Sequence, residues 1–249
     1  MIEAIHLSKR YPNGALALDA LNLRVEPGEI YCLLGARGAG KSTAINIFLG
    51  FTQPTAGRAL IDGIEVARDP LRAKARSFYL ADGTAFYGRL TALQNLEFFA
   101  RLGGPADRTR ADCEMALREV GLPEASFGRR VAGFTPGMVR KLGIAAALVK
   151  DAPALLLDEP LAGIDPKAAA EVVELLENLR DSGKALLITL QDLFWVRQLA
   201  DRIGILQEGR QILTRTREEL RSESLEKLYL DFMRGHPRPR PWSAPPVPA

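Results

Sequence analysis

Two cysteines in 249 residues, Cys32 and Cys113, are too few for a disulfide framework or a four-ligand metal site. Each stands in an apolar or helical pattern, so both read as small buried hydrophobes of a reducing compartment. An excess of one charge is also missing. Lys plus Arg number 33 and Asp plus Glu 30, and a net charge of +3 gives no ground for a nucleic-acid surface. The one local basic cluster, Arg68, Arg72, Lys74 and Arg76, reads as a solvated face. No apolar run approaches the ~18 residues of a membrane span, and MIEAIHLSKR lacks the charged start and apolar core of a secretory signal. The expectation is a soluble, cytoplasmic protein, peripheral at the inner face of the cell membrane only if a membrane partner holds it there.

What is present is a strand and helix alternation with 47% hydrophobic residues, enough for one domain with a subdomain. Alternating apolar residues in IEAIHL (2–7) and LNLRV (21–25) predict an antiparallel pair, with PNG (12–14) as a turn. EIYCLL (29–34) is a short continuous apolar run that reads as a buried parallel strand, and KSTAINIFLG follows as a helix closed by Gly50. Asp62-Gly63 within RALIDGIEV (58–66) signals a hairpin. Residues 72–150 are richer in helix, through NLEFFARL (95–102), ADCEMALREVGL (111–122) and VRKLGIAAALV (139–149). Then ALLLDE (154–159), KAAAEVVELLENLRDSG (167–183), ALLITL (185–190), DLFWVRQLA (192–200) and RIGIL (202–206) resume the alternation. A mainly parallel sheet flanked by helices is expected, an α/β class, with an N-terminal antiparallel β subdomain and an inserted α-helical subdomain at about 84–150. LEKLYLDFMRG (225–235) is loosely amphipathic and reads as a packing helix within an extension over 216–235. The last 14 residues, 236–249, hold six prolines and read as an extended tail.

Gly35-Ala36-Arg37-Gly38-Ala39-Gly40-Lys41-Ser42, followed by Thr43, fits GxxxxGK[ST] between a predicted strand and a predicted helix, and points to a P-loop NTPase fold. Glycines let successive backbone N–H groups turn toward phosphates, the helix start adds positive potential, Lys41 reaches the terminal phosphates and Ser42 can ligate Mg²⁺. About 115 residues later ALLLDEP places Asp158 and Glu159 at a strand end. Asp158 is suited to hold a metal's water shell and Glu159 to orient an attacking water.

With those landmarks in order, the chain resembles the ATP-binding subunit of an ABC transporter over roughly residues 1–215. The resemblance implies ATP and Mg²⁺ as cofactors, Tyr11 stacking on adenine, residues 35–43 around the phosphates, Asp158 near the metal and Glu159 as catalytic base. Asp165 in AGIDP (162–166) would meet the opposite subunit. GRLTALQNLEFFARL (88–102) looks most like subunits serving exporters whose membrane permease is a separate chain. Partners implied are that permease and a second cassette, in a homodimer or a heterodimer, with no nucleic acid.

Three positions depart from the family's pattern. Asp82 stands where a glutamine touches Mg²⁺; it remains an oxygen ligand but is shorter and charged. FTPGM (134–138) replaces LSGGQ, the segment that caps the γ-phosphate of the opposite subunit's ATP. Thr135 and Gly137 keep a hydroxyl and an N–H there, whereas Pro136 offers no donor, and the Thr-Pro pair equally suits a helix N-cap. Gln191 aligns with a histidine that contacts the γ-phosphate and donates only a neutral hydrogen bond; His6 and His236 are the chain's sole histidines. Loss of one transition-state donor costs ~3 kcal/mol. These changes suggest firm Mg-ATP binding with slow hydrolysis by the subunit alone, the contrasting reading being an ATP-dependent clamp or regulator with little or no turnover.

Overall fold

The computed structural model describes residues 1–81, 83, 86–103, 105, 107–222 and 225–233. Asp82 and the proline-rich segment 236–249 lie outside the described residues.

β1 (Ile2–Arg10) and β2 (Leu16–Val25) form the expected antiparallel pair. β3 (Glu29–Leu34) then feeds α1 (Lys41–Phe48), which stops where Gly50 takes φ 70° and donates its N–H to the Ile47 carbonyl. β4 (Ala56–Ile61) and β5 (Ile64–Glu65) are joined by Asp62 and Gly63, both at positive φ, as a tight hairpin turn requires. α2 (Pro70–Ala75), β6 (Ser77–Leu80), α3 (Ala92–Gly103), α4 (Arg110–Glu119) and α5 (Pro136–Lys150) follow. The chain closes with β7 (Ala154–Asp158), α6 (Pro166–Asp181), β8 (Ala185–Thr189), α7 (Leu193–Leu199), β9 (Arg202–Gln207), β10 (Arg210–Thr216), α8 (Arg217–Ser222) and α9 (Leu225–Met233).

A four-stranded antiparallel sheet has the order β2-β1-β4-β5, and a six-stranded sheet the order β10-β9-β3-β8-β7-β6. In the larger sheet every pairing is parallel except that of β10 with β9. The two-residue period of β3 sends Ile30, Cys32 and Leu34 into one core and Tyr31 and Leu33 into the other. The same split divides β7, with Leu155 and Leu157 opposite Ala154 and Leu156. The first core is roofed by α3, α4, α5 and α6; the second lies between the large sheet, α1 and the antiparallel sheet. A sheet covered on both faces explains why its strands read as continuous apolar runs. It also directs the ends of β3, β7 and β8 to a common edge, the place where open parallel sheets hold ligands.

Both cysteines are buried free thiols, as their apolar surroundings suggest. The basic cluster is ion-paired at the surface: Arg68 with Glu65 at 3.1 Å, Arg72 with Asp69 at 3.6 Å and Arg76 with Asp62 at 2.5 Å. α9 packs by its buried Leu225 alongside α7, and Arg197 reaches Glu226 at 3.5 Å.

Candidate functional site

The loop 35–40 leaves β3 and enters α1 at Gly40, which caps the helix in the left-handed conformation, φ 112°, without a side-chain cap. A Cβ at Gly40 would collide with the Ala17 carbonyl oxygen, so glycine is required here by both backbone angle and space. The uncapped first turn leaves its N–H groups for a ligand. Gly38 and Arg37 are exposed at the loop's tip, as is Ser42 at the helix start, while Ala36 is half-buried and Gly35 and Ala39 are buried beneath.

Lys41 is buried, and its ammonium donates to the carbonyl oxygens of Gly35 at 2.5 Å and Ala36 at 3.2 Å. Burial pushes its pKa down, and the carboxylates of Glu159 and Asp158 pull it back up. The lysine-bearing loop and the acid pair thus share one electrostatic site although far apart in sequence. Thr43 is half-buried, with its hydroxyl 3.4 Å from that of Tyr11, which brings the end of the antiparallel sheet to the same edge. The Lys9 ammonium sits 5.2 Å from the centre of the Tyr11 ring.

Asp158 ends β7 and Glu159 begins the turn beyond it. Glu159 adopts φ 47°, a conformation uncommon outside glycine, and one carboxylate oxygen, Oε1, is buried without a hydrogen-bond partner. Burial raises the Glu159 pKa, opposed by hydrogen bonding from the Gln191 side chain and by the Lys41 charge; Asp158 raises it further. Gln191 therefore meets Glu159 at this edge. Beside them a cleft of about 470 Å³ runs between Glu159, Gly163, Ile164, Leu190, Gln191 and Trp195.

Thr135 and Asp165 are both helix caps. Thr135 Oγ1 accepts from the Met138 N–H at 3.3 Å, with Pro136 as the first residue of α5. Asp165 Oδ1 accepts from the Ala168 N–H at 3.0 Å at the start of α6. Gly137 is buried where these two helix starts meet: a Cβ on it would lie 2.7 Å from Cβ of Ala168. Sequence reasoning passed over Thr189, the fully buried last residue of β8, whose hydroxyl bonds Asp158. Its only signal was a hydroxyl inside an otherwise aliphatic strand.

A parallel sheet with a glycine loop ahead of a helix, a buried lysine and two facing acids defines a nucleotide-binding protein of the phosphate-loop class. Residues 18–162 match the family model described as ABC transporter, and the chain belongs to that family. It is 38% identical over 218 residues, 87% of this chain and 68% of the relative, to a daunorubicin resistance ATP-binding protein of Streptomyces coeruleorubidus. It is 34% identical to a bacitracin transport ATP-binding protein of Enterococcus faecalis, over 84% of this chain and 67% of that one. A lantibiotic transport ATP-binding protein of Streptococcus pyogenes is 33% identical over 92% of this chain and 96% of its own length. Among solved structures, an ATP-binding subunit of an ABC transporter superimposes with a TM-score of 0.83 at 28% identity, covering 94% of this chain and 99% of that one. A dimeric ATP-binding cassette in a post-hydrolysis state with ADP and phosphate gives a TM-score of 0.78 at 25% identity, over 87% and 99%. The chain is an ATP-binding subunit of the kind that energises ABC transport. Such subunits bind nucleotide, dimerise and work with membrane permeases. No helix among the described residues is long and apolar enough to cross a membrane.

Proposed function

We propose that this chain binds Mg-ATP as one of a pair of cassettes and energises export through a separate permease at the inner face of the cell membrane. Alone, it hydrolyses ATP slowly. The single observation that carries the reading is the meeting of Lys41, Asp158 and Glu159 at one sheet edge, with Gln191 against the glutamate. Relatives named for daunorubicin resistance, bacitracin transport and lantibiotic transport support the export direction.

The residues present fit a magnesium nucleotide. The backbone at Gly38 and Gly40 turns at positive φ ahead of the helix start, and Gly40 lies so close to the Ala17 carbonyl oxygen that no side chain fits there. Ser42 and Asp158 are a hard-oxygen donor set suited to Mg²⁺. Bound magnesium would supply charge neutralisation on phosphate oxygens. Lys41, now held by two loop carbonyls, has its ammonium ready to exchange them for phosphate. Tyr11 is assigned to the adenine. Glu159 is assigned the water, since its raised pKa suits a group that must take a proton. Gln191 holds that carboxylate by a neutral contact and supplies no cation to the γ-phosphate, which is the basis for slow turnover. Thr135, Gly137 and Asp165 are assigned to face the second cassette. The helices within about 84–150 are assigned as the subdomain carrying that face.

Steady-state ATP turnover, measured with and without the permease, tests this reading. Slow release of phosphate alone, stimulation by the permease and loss of turnover in Glu159→Gln are expected. Turnover by the isolated chain at the rate of an intact cassette would overturn the slow-hydrolysis part, and an unaffected Glu159→Gln variant would remove Glu159 from the chemistry. ATP-driven dimerisation without stimulated turnover would mark a clamp instead.

A further inference from the structure

We propose that Thr189 is a positioning residue that sets both acids of the site through one hydroxyl, an assignment that rests on the roles given above to Asp158 and Glu159. β7 and β8 run parallel in a register that places Asp158 opposite Thr189. Thr189 is fully buried. A hydroxyl has one proton to give and lone pairs to accept. Here the proton goes to Asp158 Oδ1, and Thr189 Oγ1 accepts from the Glu159 backbone N–H at 3.1 Å. The same N–H is shared with the Thr189 carbonyl oxygen, also at 3.1 Å.

Two consequences follow for the acids. When ionised, the Asp158 carboxylate can only accept hydrogen bonds, so the Thr189 hydroxyl holds Oδ1 and leaves Oδ2 outside that bond. The Glu159 main chain, at φ 47°, is in a conformation that a non-glycine residue keeps only when its surroundings hold it. The forked bond to Thr189 supplies that hold at the residue's own N–H. The Glu159 side chain is thereby aimed at the edge where Lys41 and Gln191 lie. Neither effect needs Thr189 to touch nucleotide, water or metal.

Valine matches the shape of threonine without its hydroxyl, and serine keeps the hydroxyl without the methyl, so the two separate packing from hydrogen bonding. The full chain would be compared as wild type, Thr189→Val, Thr189→Ser and Lys41→Ala. The readouts are affinity for a fluorescent ATP analogue without Mg²⁺, the Mg²⁺ concentration for half-saturation, the melting temperature and the single-turnover hydrolysis rate. Thr189→Val should bind the analogue within about twofold of wild type, yet need several-fold more Mg²⁺ and hydrolyse on the order of tenfold to a hundredfold more slowly, the range seen when an outer-shell partner of a metal site is removed. Thr189→Ser should recover most of both. A Thr189→Val protein with wild-type Mg²⁺ requirement and rate overturns the proposal, as does a serine variant as impaired as valine, or a loss of rate matched by equal losses of analogue affinity and melting temperature. Unchanged analogue binding by Lys41→Ala would instead sink the underlying nucleotide-site reading, so the two failures are distinguishable.

Discussion

At the scale of single residues, Gln191 and Glu159 carry opposing influences on one proton. Burial and Asp158 raise the glutamate's pKa, while the Gln191 hydrogen bond lowers it by favouring the ionised form. In the role proposed for it, Glu159 serves as a base only when ionised, so the acid limb of turnover should follow its pKa. Gln191→Ala removes a group that holds the pKa down, and the acid limb should therefore move to higher pH. The pH profile of single-turnover hydrolysis checks this, and a shift toward lower pH would contradict the assigned contact. The acid pair and Lys41 were legible in sequence because each residue type sits in a spacing that phosphate chemistry demands. Thr189 was not, since threonine is an ordinary filler of buried strands and only register across β7 and β8 discloses its partner. The status of Thr135 was half legible: sequence gave its cap geometry, which the Met138 N–H completes.

Among elements, the buried strands of the large sheet were readable and its two edge strands were not. β3, β7 and β8 are buried along nearly their whole length and stand out as apolar runs. β10, by contrast, is a half-exposed edge strand of sequence RQILTRT, and β6 has only four residues, SFYL, before the segment that contains Asp82. β6 lacks the length, and β10 the alternation, that would separate it from a loop. The short α2 escaped for a similar reason, although Asp69 accepts from the Arg72 N–H and Pro70 opens the helix. α5 and α6 yield a test at this scale. Gly137 allows their starts to approach, since an added Cβ would be 2.7 Å from that of Ala168. Gly137→Ala should therefore destabilise the chain by about 1–3 kcal/mol, the usual cost of overpacking. Ala168→Gly on that background should return part of it, with non-additivity that reports direct contact. Denaturant titrations of the two single variants and the double variant measure the coupling. Strict additivity would show that the methyl groups do not meet.

Over the whole molecule, the proposed nucleotide site draws on both sheets. The phosphate loop springs from the parallel sheet, while Tyr11 comes from the end of the antiparallel one. A ligand held by the folded site alone stabilises the fold in proportion to the logarithm of its concentration over Kd. At a hundredfold excess over Kd, Mg-ATP should add ~2.7 kcal/mol, enough to raise the Tm by roughly 5–10 °C for a chain of this size. Scanning calorimetry should show that rise in the wild type and its absence in Lys41→Ala. An equal rise in both would move the ligand elsewhere.

The hairpin between β9 and β10 has a part in this. At its turn, the Gly209 N–H donates to the Ala39 carbonyl oxygen at 3.0 Å, and the Gly209 carbonyl oxygen accepts from the Asp19 N–H at 2.9 Å. One buried glycine thus rivets the phosphate loop to β2, so the loop is preorganised and little ordering entropy remains to be lost when a ligand arrives. Loosening that rivet would leave every ligating side chain intact and still appear as faster nucleotide dissociation.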